Sequence, residues 1–188
     1  MALAPQSVPL LTPFPLSAGT VPAQEATHPG NYFSTHKQTS LPSLHIMLVD
    51  DDAEDREIFE EAIREVNPEI RLSTISSCED VIDELMKPAK KPDLVILDLN
   101  MPKKNGFECL EELREIDELA AVPVMVYSTT ANAEQVTRAY EKKANMYLQK
   151  PSSFEGIKAL ITMILALDPE HYIPQAPQNN FLVQIQQT

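Results

Sequence analysis

Four short apolar runs in this 188-residue chain end on residues that can do chemistry together. Leu44-His45-Ile46-Met47-Leu48-Val49 ends in Asp50-Asp51-Asp52, and Leu94-Val95-Ile96-Leu97 ends in Asp98. The run over 122–127 ends in Ser128-Thr129-Thr130, and Met146-Tyr147-Leu148-Gln149 ends in Lys150-Pro151. Singly, each has a plain structural reading. The Asp triplet is a turn and helix cap, Asp98 a polar strand terminator, the hydroxyls a capping stretch and Lys150 a solvated loop residue. Independent caps, however, need not fall at corresponding strand ends in this combination. Three clustered carboxylates repel, so one takes up a proton unless a cation neutralises them. Oxygen ligands with room for water suit Mg²⁺. A carboxylate beside Mg²⁺ can attack phosphorus and form an aspartyl phosphate. Such a transfer needs mainly positioning and charge neutralisation, which a lysine and a hydroxyl opposite the metal supply.

These residues share one edge only if the runs are neighbouring parallel strands. A further strand is predicted over 71–75. The segments between the runs have helical periodicity. One helix is predicted over 55–66, with Ile58, Phe59, Ala62, Ile63 and Val66 inward, its acids on the other face, and Asn67-Pro68 as the stop. A second spans 79–87 with Val81, Ile82, Leu85 and Met86 inward. A third spans 107–116 with Phe107, Leu110, Leu113 and Ile116 inward, after a turn at 101–106. The fourth, over 132–144, is the least hydrophobic, and the fifth covers 153–167. Five strand–helix units with short connections predict a doubly wound α/β fold, a parallel sheet with helices on both faces. Ligands of such sheets bind outside the carboxyl ends of the strands.

The stretch from about His45 to Leu167 resembles the receiver domain of bacterial two-component response regulators, of the stand-alone, chemotaxis-regulator-like kind. Val49-Asp50-Asp51 is similar to the acidic pair after the first strand. Leu97-Asp98-Leu99-Asn100-Met101-Pro102 is similar to the phosphoacceptor motif. Pro123 through Ser128 resembles the fourth strand with its switch hydroxyl. Tyr147-Leu148-Gln149-Lys150-Pro151 resembles the aromatic switch position followed by a lysine and a cis-proline. The resemblance implies a flavodoxin-like sheet of five strands in the order 2-1-3-4-5 with five helices. It implies that Asp98 is phosphorylated, and that Asp51 and Asp98 bind Mg²⁺ directly. Asp50 would act mostly through a metal-bound water, and the Asn100 carbonyl would complete the protein ligands. Ser128 and Lys150 would hold the phosphoryl oxygens, and Tyr147 would swing between exposed and buried rotamers as Ser128 moves. Asp52 is expected to be a helix-proximal solvent residue.

Two departures stand out. Thr129 replaces a commoner small residue and is expected to narrow access to the phosphoryl group. Asn105-Gly106 stands where Asp-Gly is commoner, and Asn tolerates the same positive φ. The Tyr127-Ser128-Thr129-Thr130 run and Phe181-Leu182-Val183 resemble small stand-alone regulators that partner phytochrome-type or other hybrid kinases. The implied function is acceptance of a phosphoryl group from a sensor or hybrid histidine kinase. Signalling would run through a downstream protein target or a phosphotransfer protein. The chain would be no enzyme beyond assisting its own phosphorylation and dephosphorylation. The residues Tyr140, Lys142, Lys143, Met146 and Tyr147 form a candidate partner or homodimer face. The alternatives are a pseudo-receiver that only binds partners, against which the intact Asp50, Asp51, Asp98, Ser128 and Lys150 set argues, and a Mg²⁺-dependent hydrolase. The hydrolase needs a second acid near the nucleophile, which Leu99-Asn100 does not supply.

Composition bounds the rest. With 28 acids against 15 bases the net charge is −13, which argues against nucleic-acid and anionic-membrane binding. Residues 1–43 contain seven of the 16 prolines, one acid (Glu25) and one base (Lys37), and are expected to be a disordered Pro-rich tail. That tail has no basic n-region and its apolar stretch is broken by proline, so a cytoplasmic protein is expected. Residues 44–168 are the expected receiver domain and 169–188 a C-terminal tail, within which Phe181-Leu182-Val183-Gln184-Ile185 can form one extended segment. The 21 residues beyond Leu167 are too few for an output domain. Cys78 and Cys109 are too few for a disulfide scaffold, and nothing else indicates an oxidising compartment. No run approaches the roughly 20 apolar residues of a membrane span.

Overall fold

The computed structural model describes residues 44–89, 91–102, 104–167 and 175–185. The expected disordered tail at 1–43 lies outside the described residues. The chain alternates strand and helix: β1 (His45–Val49), α1 (Ala53–Val66), β2 (Arg71–Ile75), α2 (Cys78–Met86), β3 (Leu94–Asp98), α3 (Gly106–Glu115), β4 (Val124–Ser128), α4 (Ala133–Glu141), β5 (Met146–Gln149) and α5 (Phe154–Ala166). A 3-10 turn (Gln178–Asn180) and β6 (Leu182–Val183) follow. The sheet is parallel throughout, in the order β2-β1-β3-β4-β5-β6. The doubly wound fold is as predicted, with one strand more than five. β6 is the extended segment expected near Phe181. It extends the edge of β5, and Phe181, fully buried, anchors it.

The apolar runs are uninterrupted because the central strands are covered on both faces. Side chains alternate across the sheet. Met47, Val49, Val95, Leu97, Val124 and Val126 pack with Cys78, Val81, Leu85, Phe107, Leu110 and Leu113 of α2 and α3. Ile46, Leu48, Leu94, Ile96, Met125 and Leu148 pack with Phe59, Ala62, Ile63, Leu160, Ile161 and Ile164 of α1 and α5. The same alternation fixes the functional edge. By parity Asp50, Asp98 and Lys150 continue the α1/α5 face, whereas Ser128 and Tyr147 belong to the opposite one.

Several local expectations are corrected. Ile58 and Met86 are 40% and 48% exposed, not inward. Their helices are narrower in apolar contact than the sequence spacing suggests, because one flat sheet face meets only one stripe of each. α4 ends at Glu141 rather than Ala144. Lys143 has φ 61°, with its N–H bonded to Tyr140 O and that of Ala144 bonded to Ala139 O. This is a Schellman-type stop made without glycine, hence invisible to a glycine-based rule. Asn105 has φ −72° and caps α3, its side chain accepting from the Phe107 and Glu108 amides while Glu108 accepts from the Asn105 amide. It is a helix cap, not a positive-φ turn residue. Cys78 and Cys109, read in sequence as too few for a disulfide framework, are bonded to each other, with Cα atoms 5.6 Å apart. Their 31-residue spacing carries no local signal, and only the packing of α2 beside α3 brings them together.

Candidate functional site

Asp50 follows β1 and Asp98 ends the adjacent β3, so register brings these two together, whereas Lys150 follows β5, one strand further across β4, and reaches them with its long side chain. Val49 pairs with Leu97, and Lys150 N donates to Ser128 O at 2.8 Å. Lys150 Nζ lies 2.7 Å from Asp50 Oδ2, 2.9 Å from Asp55 Oδ2 and 3.1 Å from Asp98 Oδ1, and 5.0 Å from the centre of the Tyr127 ring. Asp50 and Asp98 are buried and Asp51 is exposed. Asp50 Oδ1 accepts from the Asp52 amide, and Asp98 Oδ2 accepts from the Asn100 amide at 2.7 Å. Asp98 Oδ1 has no hydrogen-bond donor, because Lys150 is close but poorly aligned to it.

One carboxylate oxygen from each of Asp50, Asp51 and Asp98 lies within 4.8 Å of the others. This all-oxygen set, one member open to water and one oxygen without a donor, suits a hard divalent cation. Asp52, as expected, sits at the helix start and is exposed, and it caps α1 by accepting from the Glu54 and Asp55 amides.

Burial raises the Asp50 carboxyl above its ordinary value, and the hydrogen bond and charge of Lys150 only partly offset it. Burial pulls the Lys150 ammonium down, but hydrogen bonds to Asp50 and Asp55 and the Asp98 charge more than reverse this, so it stays protonated well above neutrality. The two groups therefore stabilise opposite charges that would each be costly alone.

Three residues of the site escape the sequence pattern. Asp55 reads as one of several exposed helix acids, yet it points back from the first turn of α1 to Lys150. Arg56 donates to Asp50 O at 2.6 Å. Gly106 lets α3 start against Asp98: a Cβ there would sit 2.2 Å from Asp98 O and 2.7 Å from Leu99 Cα. Asn-Gly signals a turn, but not this backbone contact. Thr129 is exposed and lines a cavity of about 380 Å³ beside Lys150, together with Asp55, Ile58, Tyr127 and Phe154. The Lys150–Pro151 peptide is trans, not the cis form the resemblance implies; trans is the intrinsically favoured isomer even before proline.

Ser128 is fully buried at the end of β4. Tyr147 is also fully buried; its hydroxyl donates to Thr130 O, with Gln135 Oε1 an alternative acceptor at 3.2 Å. Burial raises the Tyr147 phenol, with the Ser128 hydroxyl opposing that shift. Phe181 lies against Tyr147 and packs edge-on to Tyr140, with ring centres 6.5 and 5.2 Å apart. The candidate partner face is corrected accordingly. Met146 and Tyr147 are buried, Tyr140 and Lys142 are half-buried, Lys142 pairs with Glu111, and only Lys143 is exposed. The segment 175–185 takes up the edge that a five-stranded sheet would leave open.

Residues 46–162 match the family model described as the response regulator receiver domain. The chain belongs to that family, the receivers of two-component signalling. It is 29% identical over 134 residues to the response regulator Rcp1 of Synechocystis sp., covering 69% of this chain and 89% of Rcp1. It is 40% identical over 73 residues to the probable methanogenesis regulatory protein FilR2 of Methanothrix harundinacea, covering 39% of this chain and spanning about half (47%) of FilR2. The crystal structure of the phosphorylated cyanobacterial phytochrome response regulator RcpA superposes with a TM-score of 0.59 at 28% identity, covering 66% of this chain and 95% of RcpA. Among the described residues no helix is long and apolar enough to cross a membrane.

Proposed function

We propose that the protein accepts a phosphoryl group on Asp98 from the phosphohistidine of a sensor or hybrid histidine kinase, and signals through protein contacts or onward phosphotransfer. The observation that carries this is Asp98 Oδ1, a buried carboxylate oxygen without a donor beside two further carboxylates and a lysine. That oxygen is ion-paired to Lys150 but accepts no aligned hydrogen bond, which leaves a lone pair to form the new O–P bond as the donor's N–P bond breaks. Asp51, Asp98, the Asn100 carbonyl and, through water, Asp50 would hold Mg²⁺. The bound ion supplies neutralisation of charge on the transferring group. Lys150 exchanges a carboxylate for a phosphoryl oxygen, and Ser128 donates its hydroxyl to another. Thr129, exposed at the rim, narrows the approach. The relatives support this reading: RcpA was crystallised phosphorylated, and Rcp1 in a Mn²⁺-bound form.

The test is incubation with a small acyl phosphate. Stoichiometric labelling is expected with Mg²⁺. Chelation, or Asp51→Asn, is expected to slow it about 100-fold or more, since metal charge stabilisation is worth several kcal/mol. Undiminished labelling of Asp51→Asn in chelator contradicts the metal site. No labelling at all indicates a pseudo-receiver, and continuous turnover a hydrolase.

On this reading Tyr147 transmits the state of Ser128, and Phe181, whose ring lies against it, holds 175–185 beside that switch position. Phe181→Ala is expected to remove about 3–5 kcal/mol of packing, more than pairing of the two-residue β6 can replace. Limited proteolysis should then cut within 175–185 at least about 10-fold faster, while the melting of the five-stranded body changes little. Unchanged cleavage would mean that Phe181 does not anchor the segment.

A further inference from the structure

The disulfide between Cys78 and Cys109 brackets the acceptor. The 31-position span it closes contains β3, Asp98, Asn100 and the entry to α3, so the bond staples both ends of the segment that presents Asp98. Little slack separates bridge from acceptor. Cys109 lies about one helical turn beyond Gly106, and Gly106 rests on the Asp98 and Leu99 backbone so closely that no Cβ fits. Its amide also donates to Leu99 O at 3.1 Å.

Opening the bond removes the covalent cross-link between α2 and α3 and leaves two buried thiols that must repack at non-bonded distance. Both cysteines are buried in the core layer that holds Leu97, Leu99 and Phe107, and a close-packed interior passes displacement on rather than absorbing it. A route for reagents exists at Cys78. It is buried but is the first residue of α2, next to exposed Glu79, so fraying of that first turn presents its sulfur.

We propose that Cys78 and Cys109 form a reversible thiol–disulfide site that sets how firmly the Asp98 segment is held. Its effect on labelling rests on the Asp98 reading above. In the forward direction the Cys78 thiolate attacks a small-molecule disulfide and releases one small thiol, leaving a mixed disulfide. Cys109 then displaces the second small thiol and closes the bridge. Two electrons pass from the two cysteines to the small disulfide, and their two protons leave with the released thiols. The oxidised form holds the acceptor ready, and reduction loosens it.

The test equilibrates the full chain in graded reduced and oxidised glutathione, traps it with acid and alkylates it for mass measurement. A transition from two alkylated cysteines to none is expected. On oxidation, amide exchange at Leu99, Asn100 and Gly106 should slow about 10-fold, and Mg²⁺-dependent labelling should quicken about 5-fold or more, the lower end of typical coupling between sites. Cys109→Ala should abolish the redox dependence of both. Two alkylatable thiols at every ratio would overturn the bridge. A bridge that titrates while exchange at those amides stays constant would overturn the coupling. If exchange responds but neither form is labelled, the thiol site stands and the Asp98 acceptor reading fails.

Discussion

Asp98→Asn is expected to reduce phosphoryl labelling to background while leaving the fold in place. The amide keeps an oxygen for the Asn100 N–H, which now bonds Asp98 Oδ2 at 2.7 Å, and it fills almost the same volume. What it lacks is a nucleophilic carboxylate, without which no acyl phosphate forms. Loss of one buried charge weakens the pull on Lys150 but also removes repulsion with Asp50, which contributes to the raised Asp50 carboxyl. The two effects oppose, so the unfolding free energy should move by no more than about 1 kcal/mol. Acid-stable, base-labile phosphate read by mass, alongside a thermal melt, checks both halves. Equal labelling of the variant would place the acceptor elsewhere, with Asp50 the first residue to test.

Lys150→Ala is expected to have the largest effect on stability, a loss of about 3–5 kcal/mol at neutral pH. Removing one partner from a buried ion cluster leaves its counter-charges uncompensated. Here Asp50 and Asp98 would remain at 1% and 2% exposure with no cation between them. The pH dependence has a definite sign. Asp50 is already raised above its ordinary 3.8 by burial, and Lys150 is what restrains that rise. Without Lys150 it rises further. The folded variant then binds a proton that the unfolded chain releases, so stability grows as pH falls through the raised value and is fully recovered from this source below 3.8. Denaturant midpoints between pH 4 and pH 8 should therefore climb toward acid in the variant more steeply than in the parent. Added Mg²⁺ should restore part of the loss at neutral pH, since it offers the same carboxylates a replacement charge. A flat pH response would mean the carboxylates reach water and that Lys150 is not their structural counter-ion.

Much of the molecule was legible before its structure. The central strands β1, β3, β4 and β5 were recoverable to within two residues because strands covered on both faces must be apolar throughout. The residues ending those strands stand where a parallel sheet collects its ligands. Helix extents were less legible. The stop after Glu141 uses Lys143 in a conformation usually left to glycine. Ile58 and Met86 fit the helical period, yet the sheet has no surface to cover them. The cap at Asn105 and the contact of Gly106 with Asp98 were both concealed within one Asn-Gly turn signal.

By itself the sequence determined the doubly wound fold and the chemistry of its edge: carboxylates from two strands, a hydroxyl from a third and a lysine from a fourth. It could do so because burial period and residue type are local properties, written within a few positions of each other. Only the tertiary structure decided the partnerships. Lys150 meets Asp50 and Asp55 across 100 and 95 positions. Cys78 meets Cys109 across 31. Phe181 reaches back to cover Tyr147 and closes the edge that five strands would have left open. Each of these contacts joins elements that are distant in the chain and adjacent only in the folded structure. Their energies come from burying charges, sulfurs and rings against particular neighbours, and no local period records which neighbour that will be.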